Sequence, residues 1–169
     1  MKANPKVVLP GAGKALHVLG DVVISLVVGA DTGGAYAVQQ QDTRPGDGPP
    51  LHRHSREDEG LSVLAGEYEF WVGEQTFRAA PGTIVFGPRG IPHAFNCLDP
   101  NPGKIQVIIP PPRLEAFFEE LYALAKQGTP DMGQNVALAG KYGLETLGPR
   151  RPSPDKSVSR YALSWQAAP

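Results

Sequence analysis

Short apolar segments separated by turns rich in glycine and proline make up the first 110 residues of the chain. Residues 14–28 are rich in β-branched side chains, which favour strands, and predict a pair of short strands. The Asp31–Gly34 segment supplies the glycines that a tight hairpin turn requires, and residues 35–41 predict the returning strand. Residues 42–50 contain three prolines and two glycines. They predict a loop, because such a segment cannot hold a strand ladder.

Further strands follow at close intervals after this loop. They are predicted over residues 60–65, 68–72, 75–79, 83–86, 93–98 and 105–109. In the second of them apolar residues alternate with Glu69 and Trp71, which predicts one buried face and one exposed face. Closely spaced strands with no helical segment between them are typical of an antiparallel sandwich or barrel.

The apolar residues change to a helical spacing after the prolines at 110–112. Residues 113–127 place apolar side chains on one face of a helix, which we expect to pack outside the strands or to contact a second copy. Residues 131–142 predict a second, weaker helix, and the chain from Gly148 predicts an extended tail. Apolar residues near the end of that tail predict that it docks on the strands or on a neighbouring subunit: Tyr161, Leu163 and Trp165.

Taken together, the pattern predicts an all-β fold with a single β-barrel over residues 7–110. A mostly helical C-terminal extension over residues 111–169 follows it and is not a separate domain. A length of 169 residues agrees with one domain.

Composition and charge argue against several classes of function. The 16 basic residues nearly cancel the 17 acidic ones, which argues against a partner that is a nucleic acid or an anionic membrane. No apolar stretch approaches the roughly 20 residues that a membrane span needs, and no signal peptide is evident. The single cysteine, Cys97, excludes an intramolecular disulfide, and we expect a buried, inert thiol. These features predict a cytoplasmic protein.

The candidate chemistry lies in two segments bounded by glycine and proline, which contain three of the four histidines. His52 and His54 project from the same face of a strand, because side chains alternate along it. Glu59 begins the next strand, and a short turn could fold its carboxylate back toward the imidazoles. If the sheet curls into a barrel, His93 can complete a cluster of nitrogen and oxygen donors. Such donors suit Fe, Mn, Ni, Cu or Zn.

Neighbouring residues are predicted to take no part in metal binding. The fourth histidine, His17, is expected to be exposed or hydrogen-bonded, and Glu57 and Asp58 are expected to be surface acids. Aromatic side chains are predicted to line the barrel interior, where they either fill the core or form the wall of a substrate pocket. Phe95 is the first choice for substrate contact, and the others are Tyr68, Phe70 and Phe86.

The spacing of these two segments resembles the paired motifs of the cupin superfamily. The first motif reads glycine, five residues, His-x-His, three or four residues, glutamate, six residues, glycine, and is formed by Gly46, His52, His54, Glu59 and Gly66. The second is formed by Gly82, Pro88, Gly90 and His93, with Asn96 one position closer to the histidine than usual. The resemblance implies a small jelly-roll β-barrel in which His52, His54, Glu59 and His93 hold one divalent transition metal (Fe, Mn, Ni or Zn). Asn96 is not a ligand in that family, so its displacement leaves the cluster intact.

A narrower resemblance is to single-domain bacterial cupins that are described as quercetin-dioxygenase-like. It rests on Arg56–Glu59, Pro88–Phe95, Phe117–Glu120 and Tyr142–Pro149. It implies a metal-dependent dioxygenase acting on an enol, phenol or flavonol-like substrate together with O₂. Glu59 would then also accept a proton from a substrate hydroxyl. A non-catalytic binding or sensory protein and a metal-dependent isomerase remain open on the same ligands. A homodimer is also expected, since cupins commonly pair.

Overall fold

The computed structural model of the chain describes residues 3, 5–18 and 20–149. Eleven strands and two helices lie within these residues. In chain order they are β1 (Lys14–Val18), β2 (Asp21–Val27), β3 (Ala37–Thr43), β4 (Leu51–His54), β5 (Glu59–Ala65), β6 (Tyr68–Val72), β7 (Gln75–Ala79), β8 (Ile84–Gly87), β9 (His93–Cys97), β10 (Gly103–Ile109), α1 (Leu114–Ala125), α2 (Met132–Lys141) and β11 (Leu144–Gly148). The prediction of a mostly β chain with helices near its C-terminal end is confirmed.

The strands form two antiparallel sheets. One sheet has the order β1-β2-β3-β10-β5-β8 and the other has the order β11-β4-β9-β6-β7. Over the described residues the two sheets are not joined by strand pairing, so the prediction of a closed barrel is wrong. The arrangement is consistent with a cupin-type jelly roll built as two layers. Inward and outward side chains alternate in the same way in a sandwich and in a barrel, so the sequence pattern alone does not separate them.

Apolar side chains from both sheets fill the space between the layers. In β10 the alternate residues Ile105, Val107 and Ile109 are buried. The opposite sheet contributes Phe70 and Phe95, which lie in directly paired positions with ring centroids 5.6 Å apart. Cys97 is fully buried in the same core, as predicted.

Strand β6 differs from the half-exposed strand that its alternation predicts. Glu69 and Trp71 are buried, although they occupy the face opposite the core-facing Phe70. The strand lies inside the sheet, and Glu69 is flanked by Asn96 of β9 and Arg78 of β7. Neighbours on both sides therefore shield a face that would be open on an edge strand.

Phe86 is the second correction on the strands. Its side chain is 62% exposed, whereas the sequence interpretation placed it inside the barrel. In β8 the buried positions are Val85 and Gly87, so the alternation is shifted by one residue relative to the predicted phase. β8 is also an edge strand, and its outer face is not covered by another layer in the described part of the chain.

The C-terminal extension is integrated into the sheets. Strand β11, which the sequence pattern did not predict, pairs with β4 and sets Leu144 opposite His54 and Thr146 opposite His52. Leu144 belongs to the main buried core, together with Leu114 of α1 and Ala139 of α2. The start of α2 is fixed by a capping box between Asp131 and Gln134. The predicted docking of Tyr161, Leu163 and Trp165 lies outside the described residues.

Neither α1 nor α2 has the length and apolar character that a helix needs to cross a bilayer.

Fourteen glycines adopt positive φ, and at Gly48 this conformation matters for the site. A Cβ on Gly48 would meet the backbone carbonyl of Phe95, so only glycine allows this loop to approach β9 so closely.

Candidate metal centre

Four side chains from three strands converge between the two sheets. His52 and His54 lie on β4, and His93 lies on the neighbouring β9 directly opposite His52. Glu59 begins β5 in the facing sheet. One nitrogen or oxygen atom from each of these residues lies within 4.8 Å of every other. The packing of the two sheets therefore brings together the four ligands implied by the resemblance.

The distances between these atoms suit a transition metal. His52 Nε2 is 3.1 Å from His54 Nε2, and His93 Nε2 is 3.2 Å from Glu59 Oε2. Glu59 Oε1 lies 3.6 Å from His54 Nε2. With metal–ligand bonds of about 2.1 Å, adjacent donors on a tetrahedral or octahedral ion lie about 3.0–3.4 Å apart. Only small side-chain adjustments would be needed for these residues to hold one ion.

Backbone carbonyls orient two of the imidazoles. His52 Nδ1 lies 2.9 Å from the carbonyl oxygen of Pro50, and His93 Nδ1 lies 3.0 Å from that of Ile91. In each case Nδ1–H donates to a carbonyl two residues earlier. This leaves the Nε2 lone pair for a metal, in the arrangement common to histidine ligands.

The group beside Nδ1 of His54 is the side chain of Glu57 and not a backbone carbonyl. The prediction that Glu57 is a surface acid is therefore wrong. Glu57 is fully buried, and its Oε2 lies 3.8 Å from His54 Nδ1. Both Glu57 oxygens lack a hydrogen-bond partner in the described structure. Asp58 points the other way and accepts hydrogen bonds from Arg89 at 2.7–3.0 Å. A run of charged residues does not reveal which of its carboxylates the turn folds inward.

Replacement of Glu57 by glutamine tests this contact. We expect Glu57→Gln to lower metal affinity by about tenfold, because it removes a buried negative charge that lies 3.8 Å from His54 Nδ1 and favours a bound cation. Competition against a chromophoric chelator measures the affinity. Asp58→Asn is the matched control, since it removes the adjacent carboxylate that faces Arg89. Equal affinities in the two variants would contradict the role assigned to Glu57.

The charges in the cluster are strongly coupled. Burial, together with the neighbouring imidazoles of His93 and His54, lowers the pKa of His52 to about 3. Burial would raise the pKa of Glu59, but the hydrogen bond from His93 and the charge of the surrounding imidazoles lower it to about 2. Burial opposes the charge on His93, yet its hydrogen bond to Glu59 and the charge of that carboxylate raise its pKa above the usual 6.5. At neutral pH and without metal, His52 is neutral and Glu59 is ionised.

These pKa directions predict how metal binding depends on pH. A metal must displace the proton that Glu59 stabilises on His93, so affinity should rise with pH until the raised pKa of His93 is passed. Below that pKa we expect about a tenfold loss of affinity per pH unit, the slope for one proton released. Isothermal titration in buffers of different ionisation enthalpy counts the released protons. An affinity that is constant from pH 6 to pH 8 would contradict the His93–Glu59 coupling.

A cavity of about 210 Å³ opens beside the cluster. His52, His54 and Glu59 form part of its wall, and so does Phe95, the side chain that the sequence interpretation places in contact with substrate. Tyr68 and Phe70 are buried in the core but are not among the residues that line this cavity, and Phe86 lies on the outer face of β8. His17 is exposed, as predicted.

The C-terminal extension supplies much of the remaining wall, which the sequence interpretation missed. Apolar side chains of α1 face the cavity rather than the outside of the strands: Leu114, Phe117, Phe118 and Leu121. Asn135 and Ala139 of α2 and Leu144 and Thr146 of β11 complete this side. The apolar stripe of α1 indicated a buried face, but nothing in its spacing indicated which surface it covers.

Comparison with known proteins agrees with this geometry. Residues 40–109 match the family model of the cupin domain. This cupin segment contains all four candidate ligands. The segment and the solved structures described next support the cupin superfamily, whereas no curated protein matches the chain.

Three solved structures share the fold. An RmlC-like cupin from Shewanella frigidimarina is 19% identical, with a TM-score of 0.59 over 69% of this chain and 99% of that one. The polyketide cyclase RemF from Streptomyces resistomycificus is 22% identical, with a TM-score of 0.56 over 63% of this chain and 79% of that one. A predicted oxalate decarboxylase from Thermotoga maritima is 19% identical, with a TM-score of 0.55 over 62% of this chain and 98% of that one. At these identities the likeness establishes the fold alone.

Proposed function

We propose that the chain is a metal-dependent dioxygenase that acts on a small, oxygen-rich substrate such as an enol or a phenol. The observation that carries the proposal is the cluster of three imidazoles and one carboxylate that opens into a mostly apolar cavity. Four protein ligands leave two positions free on an octahedral ion, which is the arrangement of a reactive site rather than a closed structural one.

A bound ion would supply Lewis acidity toward a substrate oxygen and access to O₂. The protein positions the substrate and excludes water from the cavity. Phe95 and the apolar side chains of α1 pack against the substrate and exclude water, which strengthens electrostatic interactions inside the cavity.

Glu59 is the proton acceptor in this proposal. Without metal the carboxylate is ionised at neutral pH, although the surrounding imidazoles lower its pKa to about 2 and make it a weaker base than a free glutamate. In the metal-loaded site one carboxylate oxygen of Glu59 would bind the ion, and the other would be left to accept the substrate hydroxyl proton. Both atoms of O₂ enter the product, and the substrate supplies all four electrons, so no external reductant is needed.

Metal loading followed by oxygen uptake tests the proposal. The chain is stripped with a chelator and reloaded anaerobically with Fe(II), Mn(II), Ni(II) or Zn(II), and the bound metal is quantified. Oxygen consumption is then followed with β-diketones, enols and phenols, and product mass is measured under ¹⁸O₂. We expect one metal per chain and two ¹⁸O atoms in the product with one class of substrate. Conversion without oxygen uptake would identify an isomerase, and binding without conversion would identify a binding protein.

A further inference from the structure

Strand β11 brings a hydroxyl group to the cavity beside the metal cluster. Thr146 lies directly opposite His52 where β11 pairs with β4. Side chains in directly opposite positions of an antiparallel pair project from the same face, with Cβ atoms about 4.5–5.5 Å apart. His52 and Thr146 both line the cavity, so this face is the one that meets the substrate. Thr146 lies outside the cupin segment at residues 40–109 and belongs to the C-terminal extension.

The rest of the wall that the C-terminal extension builds is almost entirely apolar. Leu144, two residues before Thr146, is buried, and every side chain that α1 contributes to the cavity is apolar. Asn135 of α2 is the other polar lining residue in the described part of the extension. Its Nδ2 lies 3.5 Å from the carbonyl oxygen of Pro130, and its Oδ1 is buried. Thr146 is therefore the residue of the extension that can meet a polar ligand atom.

The hydroxyl of Thr146 is available to such an atom. The residue is half-buried, and its Oγ1 forms no hydrogen bond with another described residue. A threonine hydroxyl can donate one hydrogen bond and accept others. A ligand oxygen that leaves water for a mostly apolar cavity needs a new hydrogen-bond partner, because burial without one is unfavourable. Thr146 can supply that partner beside His52.

We propose that Thr146 binds the substrate, and that its hydroxyl forms a hydrogen bond with a second substrate oxygen while the first oxygen lies on the metal. This inference rests on the metal site of the proposed function. It narrows the substrate class to molecules with two oxygens, of which only one binds the ion. The second free position on the metal is then left for O₂.

Comparison of dihydroxybenzenes with phenol tests the proposal. Phenol carries one oxygen, and catechol, resorcinol and hydroquinone carry a second one at increasing distance from the first. Each compound is titrated calorimetrically, without O₂, into the Zn(II)-loaded chain, and gel filtration confirms that the metal stays bound. We expect at least one of the three to bind about 3–10-fold more tightly than phenol, the gain given by one hydrogen bond between uncharged groups.

Variants at residue 146 assign this gain to the hydroxyl. Thr146→Val keeps the β-branched shape, so the gain should disappear while the affinities for phenol and for Zn(II) stay unchanged. Thr146→Ser keeps the hydroxyl and should keep the gain. Thr146→Ala serves if Thr146→Val does not fold. Thr76→Val is the matched control and should keep the gain, because β7 is the opposite edge of the same sheet and Thr76 does not line the cavity.

Three results would overturn the proposal: no dihydroxybenzene binds more tightly than phenol, no probe binds at all, or the gain survives in Thr146→Val. The last result would show that both oxygens chelate the metal. An equal loss of affinity for phenol in Thr146→Val would also overturn it, because the residue would then act on the shape of the cavity alone.

The same measurements separate this inference from the proposed function. A hydroxyl-dependent gain together with a failure to consume O₂ would support the role of Thr146 and reject the dioxygenase activity alone. Oxygen uptake together with a gain that Thr146→Val does not change would reject the role of Thr146 alone. Failure of the unaltered chain to retain Zn(II) would reject the metal site and this inference with it.

Discussion

His54→Ala should lower metal affinity by more than 100-fold and abolish turnover. The substitution removes one of four donors and leaves the buried Glu57 carboxylate without the imidazole it faces. Loss of an outer-shell partner alone costs about 10–100-fold in affinity, so loss of a direct ligand should exceed that range. Metal content after dialysis against a chelator measures the effect.

His17→Ala is the matched control for this variant, because His17 is exposed on β1 and contributes no atom to the cluster. It should keep its full metal content. Far-ultraviolet circular dichroism checks that both variants are folded. A folded His54→Ala chain that binds metal as tightly as the unaltered chain would show that the ion is held elsewhere.

Glu59→Gln should separate metal binding from turnover. The amide oxygen can still contact a metal, so we expect most of the metal to be retained. The amide cannot accept the substrate hydroxyl proton, and loss of a positioned base slows turnover by about 10²–10⁴-fold. Turnover is measured at matched metal occupancy on the substrate identified by the oxygen-uptake screen.

The pH profile of Glu59→Gln provides a second readout. Without the carboxylate, the pKa of His93 should fall, because the hydrogen bond and the charge that raise it are lost. The pH range over which metal affinity depends on that proton should therefore move to lower pH. Asp58→Asn should change neither turnover nor the profile, because Asp58 faces Arg89 outside the cluster. Full activity in a metal-loaded Glu59→Gln chain would reject the role of Glu59 as base.

Most of the strands and the positions of the four clustered side chains could be predicted from the sequence, because both follow from local spacing. Glycine and proline mark the turns, and the His-x-His pattern places two imidazoles on one face of β4 whatever the rest of the chain does. The motif spacing identified Glu59 and His93 without any knowledge of which strands pair.

Features that depend on how the layers meet could not be predicted in this way. Three features depend on which surface each element packs against: whether the sheets close, whether Glu57 is buried, and which face of β8 carries Phe86. The spacing of apolar residues along the chain does not say which surface that is. The position of α1 over the cavity and the pairing of β11 with β4 join residues about 90 positions apart in the chain. Local patterns carry no information about such contacts.

The central claim is that one metal ion binds between the two sheets. Anomalous diffraction from crystals of the metal-loaded chain gives the position of that ion directly. We predict a single peak at about 2.0–2.3 Å from Nε2 of His52, His54 and His93 and from one oxygen of Glu59. A peak at any other place, or no peak after supplementation with Fe, Mn, Ni, Cu and Zn in turn, would contradict the account.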